Sequence, residues 1–225
     1  MTASTTQLQP VIAIKPSYLR IKRCIDISFT LLILLPLGLI SLIVAVCIRL
    51  DSQGLIFFRQ KRIGAYGKEF YMYKFRSMYE HSDDRVHRQD IERYMSGGVI
   101  GAGSGGELAY KRTNDPRVTR VGRILRKTSI DELPQFINVL KGEMTLVGPR
   151  PPLRYEVEHY SPYESLRLSG KPGLTGPWQV YGRSRVPFHT MVEMDIAYLR
   201  RQSIREDLKL IALTVLVMFQ GMGGA

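Results

Sequence analysis

The chain has 225 residues, a formal net charge of +12, and 44% apolar and 23% charged residues. This is globular usage, which excludes a disordered polyelectrolyte and a collagen-like fibre; a mean hydropathy of −0.08 excludes a multi-span membrane protein. The charge implies an anionic partner: nucleic acid, anionic lipid or a phosphorylated substrate. Cys24 and Cys47 are the only cysteines, so no disulfide framework is expected and a reducing compartment fits.

Residues 1–17 read as an N-terminal tail and 18–50 as a membrane helix. Ile27 to Ile48 carries no charge over 22 residues. As one helix it would rise about 33 Å, enough to cross about 30 Å of hydrocarbon. The run exceeds a cleavable signal's apolar region, and Val46 stands where a lipoprotein cleavage box needs a small residue. Pro36 lies near the middle, where it removes a backbone donor and favours a kink. Both flanks are basic, with Lys15, Arg20, Lys22 and Arg23 before the run and Arg49, Arg59, Lys61 and Arg62 after it. A spanning helix should show an asymmetry, and here there is almost none. A helix that bends at Pro36 and returns to the same face satisfies both flanks. An ordinary spanning helix containing proline is the other reading, and the residues alone leave both open.

Residues 51–225 read as one folded domain. Ile56-Phe57-Phe58 and Glu69 to Phe75 flank Gly64-Ala65-Tyr66-Gly67 and predict a small β-hairpin. Tyr79 to Met95 predicts a charged helix. Ser96 to Gly106 is a glycine-rich loop whose G-x-G-x-x-G match lacks the preceding strand a dinucleotide site needs. Thr190 with Glu193 opens a helix to about Arg201, and Ser203 with Glu206 another to about Phe219. Leu208 to Phe219 is too short to span and reads as a core helix somewhat better than an interfacial one.

The most informative stretch is Arg117 to Pro152. Leu133, Phe136, Ile137 and Leu140 repeat at i, i+3, i+4, i+7, the spacing of an amphipathic helix face. Gly142 is placed to cap that helix, and Pro134 must lie in its first turn. Ser129 with Glu132 gives a capping signature, so Asp131 and Glu132 fall at the N-terminus, where the helix dipole favours carboxylates. Such a pair can supply a nucleophile and hold a divalent metal. Helix capping alone also favours Asp and Glu there. The surroundings favour chemistry: Arg117, Arg120, Arg123, Arg126 and Lys127 precede the pair, Gly148 to Pro152 holds Arg150 on a rigid segment, and Lys74-Phe75-Arg76 adds two cations. Carboxylates within a cationic shell suit phosphoryl transfer. Each single Arg is equally readable as a solvated surface charge.

These segments, with Lys22-Arg23-Cys24-Ile25-Asp26, Phe57 to Gly64, Asp115 to Gly122, Ser129 to Gly142, Gly148-Pro149-Arg150-Pro151 and Pro172 to Gly176 running on to Gly182-Arg183, resemble the monotopic polyprenyl-phosphate phosphoglycosyl transferases. These are bacterial sugar transferases that start exopolysaccharide, O-antigen or capsule assembly. The resemblance runs from about residue 18 nearly to the end. It implies an α+β, mostly helical, monotopic membrane protein with a Pro-kinked re-entrant N-terminal helix, sited at the bacterial inner membrane with its catalytic domain on the cytoplasmic face. It implies Asp131 as a nucleophile toward a UDP-sugar, Glu132 as its helper, Mg²⁺ held by Asp131 and Glu132, and undecaprenyl phosphate as acceptor. Lys74, Arg76, Arg117 and Arg150 would bind phosphates; Gln179 and Arg183 would serve the nucleotide-sugar side.

Gly54-Leu55 stands where the family often has Gly-Pro, and the extra N-terminal regions of larger members have no counterpart here. The alternative is a basic, membrane-anchored binding or scaffold protein in which the dyad only caps a helix. Nucleic acid is not expected as a partner, because no nucleic-acid motif appears and no aromatics interleave the basic residues at 117–127. Membrane lipids are expected partners. The Gly221 to Ala225 tail is a candidate for contacts in a homo-oligomer.

Overall fold

In the computed structural model the described residues are Ile12, 14–80, 85–97, 115–182 and 186–219. Helix α1 runs from Pro16 to Asp51, longer at both ends than the 18–50 expected. Pro16 opens it in the first turn, where a missing N–H costs nothing. Pro36 lies inside this one continuous helix assignment. The face that α1 buries is polar at its N-terminal half. Tyr18, Lys22, Asp26 and Thr30 recur every fourth residue and are all buried. The outward residues are apolar, and Leu35 is 86% exposed. Beyond the middle, Val44 and Ile48 form a second buried pair one turn apart.

Lys22 is one of the basic residues that flank the apolar run in sequence. Its ammonium is buried and bonds Asp207 Oδ2 at 2.7 Å. Tyr18 donates to the same oxygen at 2.8 Å, and the Tyr198 hydroxyl donates to Asp207 Oδ1 at 2.5 Å. The charge is internal because the fold brings the distant Asp207 carboxylate to it.

Strands β1 (Phe57–Ile63) and β2 (Glu69–Phe75) form the expected antiparallel hairpin, with Phe57 opposite Phe75 and Ile63 opposite Glu69. β1 continues five residues past Phe58 because the turn is confined to Gly64–Lys68. The charged segment supplies α2 (Arg85–Met95), shorter than the 79–95 expected. Helix α3 spans Arg120–Lys127 and α4 spans Gln135–Lys141. Gly142 ends α4 at φ +77°, as its type suggested. The buried face of α4 differs from expectation: Gln135, Asn138 and Val139 are buried, whereas Ile137 is 46% exposed. The helix is short and wedged between β2 and α1, so its contacts follow those neighbours rather than the apolar repeat.

A second sheet has no counterpart in the sequence reading. Strand β3 (Thr145–Val147) runs parallel to β4 (Gly173–Thr175). A Cβ on Gly173 would overlap the main chain of Gly148, so this close approach requires glycine. Helix α5 (Arg154–Val157) lies between them in sequence. Helix α6 spans Phe188–Arg201 and starts after Pro187, two residues before the predicted Thr190 cap. Helix α7 spans Ile204–Phe219, and Ser203 Oγ accepts from Glu206 N at 3.3 Å, as its capping signature predicts. α7 buries Leu210 but exposes Leu208, Val215, Leu216 and Met218, so most of its apolar face is not core. The main core joins Met72, Val139, Met144, Val147, Leu199 and Leu210.

Candidate active site

Asp131 and Glu132 lie on a separate 3-10 turn, Ile130–Glu132, rather than in the first turn of α4. Pro134 is the N-cap of α4, so the chain must turn before it. Ser129 adopts a left-handed conformation (φ +56°) and makes no side-chain cap, so the expected capping box is not formed. The positive φ turns the chain abruptly out of α3. It leaves Asp131 buried and Glu132 half-buried.

The Glu132 side chain reaches across to β2, where Lys74 Nζ donates to Oε1 at 2.7 Å. The strand is held to this helix by Asn138. Its Oδ1 accepts from Tyr73 N at 3.1 Å, and its Nδ2 donates to Tyr71 O and to Glu143 Oε2, both at 2.7 Å. Asn138 thereby pins the edge of β2 beside the dyad. Its type gave no sign of this role, because a lone Asn in an apolar repeat reads as a surface residue.

The remaining predicted residues divide by place. Arg76 turns from the dyad region to the end of α1. Its Nη2 donates to Ser52 O at 2.7 Å and Ser52 Oγ at 3.0 Å, and its Nη1 to Gln53 O. Arg117 grips Asp115, from Nε at 2.9 Å and Nη2 at 2.7 Å, and so holds that carboxyl below its usual range. Arg150 follows β3 and lies 5.5 Å from the Trp178 ring centroid, a cation–π stack. Gln179 is the next residue, and its buried Oε1 has no hydrogen-bond partner among the described residues. Arg183, most of the Ser96–Gly106 loop and the Gly221–Ala225 tail lie outside the described residues.

A buried ion pair supports the Arg150 segment. Arg167 Nη2 donates to Asp195 Oδ2 at 2.7 Å and to Arg150 O at 3.4 Å. Burial pushes the Asp195 carboxyl upward against the pull of the Arg167 guanidinium. Neither residue was singled out by motif, since the pairing spans 28 positions and exists only after folding.

Among the described residues no cluster of three or more His, Cys, Asp and Glu occurs. A closed zinc-type cage is therefore not built there. Two adjacent carboxylates do suit Mg²⁺, which takes its other ligands from substrate phosphates and water.

A sequence model of the family described as bacterial sugar transferase matches residues 17–221. The chain is 41% identical over 210 residues to the galactosyl transferase CpsE of Streptococcus agalactiae, covering 93% of this chain and 44% of CpsE. It is 38% identical over 194 residues to the exopolysaccharide production protein ExoY of Sinorhizobium fredii, covering 86% and 83%. It is 38% identical over 206 residues to the UDP-glucose:undecaprenyl-phosphate glucose-1-phosphate transferase of Escherichia coli, covering 87% and 39%. The chain thus spans under half of CpsE and of the E. coli protein, but most of ExoY.

Proposed function

The chain belongs to the bacterial sugar transferase family, and we propose that it transfers a phosphosugar from a UDP-sugar to undecaprenyl phosphate. The products are undecaprenyl-diphosphate-sugar and UMP, the first membrane step of a surface polysaccharide. The observation that carries this reading is the Asp131–Glu132 turn held against Lys74. It sets two carboxylates beside a cation suited to a diphosphate.

In the first step an Asp131 Oδ attacks the β-phosphorus of the UDP-sugar. The bond from that phosphorus to the bridging oxygen breaks, and UMP leaves with the electron pair. A phosphosugar–Asp131 anhydride remains. In the second step a phosphate oxygen of undecaprenyl phosphate attacks the same phosphorus, and the Asp131 carboxylate is released. Glu132 keeps the Lys74 ammonium beside the nucleophile. Asp131 and Glu132 would hold Mg²⁺, which when bound offsets charge on the phosphoryl oxygens. Arg150, stacked on Trp178, and Gln179 serve the nucleotide-sugar side. Arg76 and Arg117 act at one remove, by fixing the end of α1 and the approach to α3.

We also read α1 as re-entrant, with the domain on the cytoplasmic face of the inner membrane. A crossing helix would put its ends on opposite sides of about 30 Å of hydrocarbon. Here Asp26 Oδ1 accepts from Leu146 N and Asp51 Oδ2 from Val121 N, each at 3.0 Å. Both ends are therefore tied to one domain, which supports return to the same side. Cys24 and Cys47 are exposed reporters. Both should react with an impermeant thiol reagent from the cytoplasmic side; reaction from opposite sides would mean a span.

The reaction is tested by following UMP release with Mg²⁺ and a panel of UDP-sugars, with and without undecaprenyl phosphate. Release is expected with at least one sugar. Absence of UMP with every sugar from folded protein contradicts the reading.

A further inference from the structure

Arg23 and Lys171 converge where α1 approaches its uncharged run. A Cβ on Gly142 would stand 3.5 Å from Arg23 Nη2 and 3.6 Å from Lys171 Nζ, so the two cations are no more than about 7 Å apart. Gly142 has φ +77°, where a side chain is strained, so glycine places no side chain between the two cations. Arg23 is oriented by α4: Nη1 donates to Val139 O at 2.5 Å and Nη2 to Leu140 O at 2.7 Å. Its remaining N–H groups are still available. Lys171 is exposed and makes no hydrogen bond or ion pair among the described residues. Burial of its stem and the Arg23 charge push its ammonium below the usual range. Asp26 is the carboxylate whose field reaches Lys171. Its oxygens already accept from Thr145 Oγ1 at 2.7 Å and Leu146 N at 3.0 Å.

We propose that Arg23 and Lys171, meeting beside Gly142, form a binding site for one phosphate group, supplied by a phospholipid headgroup at the bilayer surface. A planar guanidinium and a mobile ammonium approaching from two elements suit a phosphate's oxygens. Arg23 lies four residues before the uncharged run that begins at Ile27, which is headgroup depth once the run is in hydrocarbon. The site fixes the depth and angle at which α1 meets the membrane. The inference rests on the membrane reading of α1 and not on the transfer reaction. It is read by binding, so its failure leaves the transferase reading standing.

The test is native mass spectrometry of the full chain in neutral detergent. The probes are dioctanoyl-phosphatidylglycerol, dioctanoylglycerol and inorganic phosphate. One saturable phosphatidylglycerol adduct is expected, with none for the phosphate-free diacylglycerol. Lys171→Glu and Lys171→Met should weaken it at least tenfold, and Lys171→Arg should stay within threefold of wild type. Inorganic phosphate binding as tightly as the lipid would assign the site to a free anion; weaker binding assigns it to the headgroup. An adduct unchanged in Lys171→Glu, or no adduct with either phosphate probe, overturns the site.

Discussion

Lys74 and Glu132 meet at 2.7 Å with side chains 22% and 38% exposed. Water screens such a pair, so its net stability is about 0–1 kcal/mol. Its importance is positional. Lys74→Met should lower kcat/KM for the UDP-sugar by about tenfold or more while barely moving the melting temperature. A matching fall in both would make the pair merely structural. Asn138 is the opposite case. It is fully buried and satisfies two main-chain groups of β2. Asn138→Ala should cost about 1–3 kcal/mol for the groups left unpaired, read from the denaturant midpoint. Asp115 gives a pH signature. Arg117 depresses its carboxyl, so its contribution is present above the unfolded value near 3.9 and is lost as pH falls through the lower folded value. Asp115→Asn should flatten acid unfolding below about pH 4.

Helix α1 is an element built inside out. Its domain-facing stripe of Tyr18, Lys22, Asp26 and Thr30 is polar, and its outward face is Leu and Ile. The apolar run was legible as a membrane helix because length and absence of charge suffice. The polar stripe was not, because Lys22 reads as a flanking cation until Asp207, 185 residues away, is folded against it. The pair is buried on both sides. Removing one partner should therefore destabilise by about 3–5 kcal/mol, as an uncompensated charge remains. Asp207→Asn and Lys22→Met should each lower the melting temperature in detergent more than the double variant does. An additive double variant contradicts the coupling. The hairpin, the α4 cap at Gly142 and the Ser203 start of α7 were readable for local reasons of turn and cap chemistry. The β3–β4 pair was not, since two three-residue strands carry no period. The Asp131–Glu132 pair was singled out by residue type, but its 3-10 turn was missed because the left-handed Ser129 has no local signal. Arg76 was read only as a phosphate ligand, because its engagement by the carbonyls of Ser52 and Gln53 exists only after folding and has no local signal.

At the scale of the molecule, the +12 charge divides by place. Lys22 and Arg167 are internal counter-charges. Arg23 and Lys171 meet beside Gly142, and Lys74 pairs with Glu132 of the dyad. The exposed leucines and isoleucines of α1, with Leu208, Val215, Leu216 and Met218 of α7, form more apolar surface than a soluble monomer leaves in water. The protein should need detergent to leave the membrane fraction, and extraction by salt alone would contradict that surface. In the proposed reaction the hydrophobic surface would bring the domain to a lipid acceptor, and the dyad turn would do the chemistry. The most direct test is to incubate wild-type and Asp131→Asn protein with Mg²⁺ and a UDP-sugar carrying a labelled β-phosphate, without acceptor. Wild type should release UMP and hold one labelled phosphosugar per chain, discharged by adding undecaprenyl phosphate, and Asp131→Asn should do neither. Near-normal UMP release by Asp131→Asn would contradict the account.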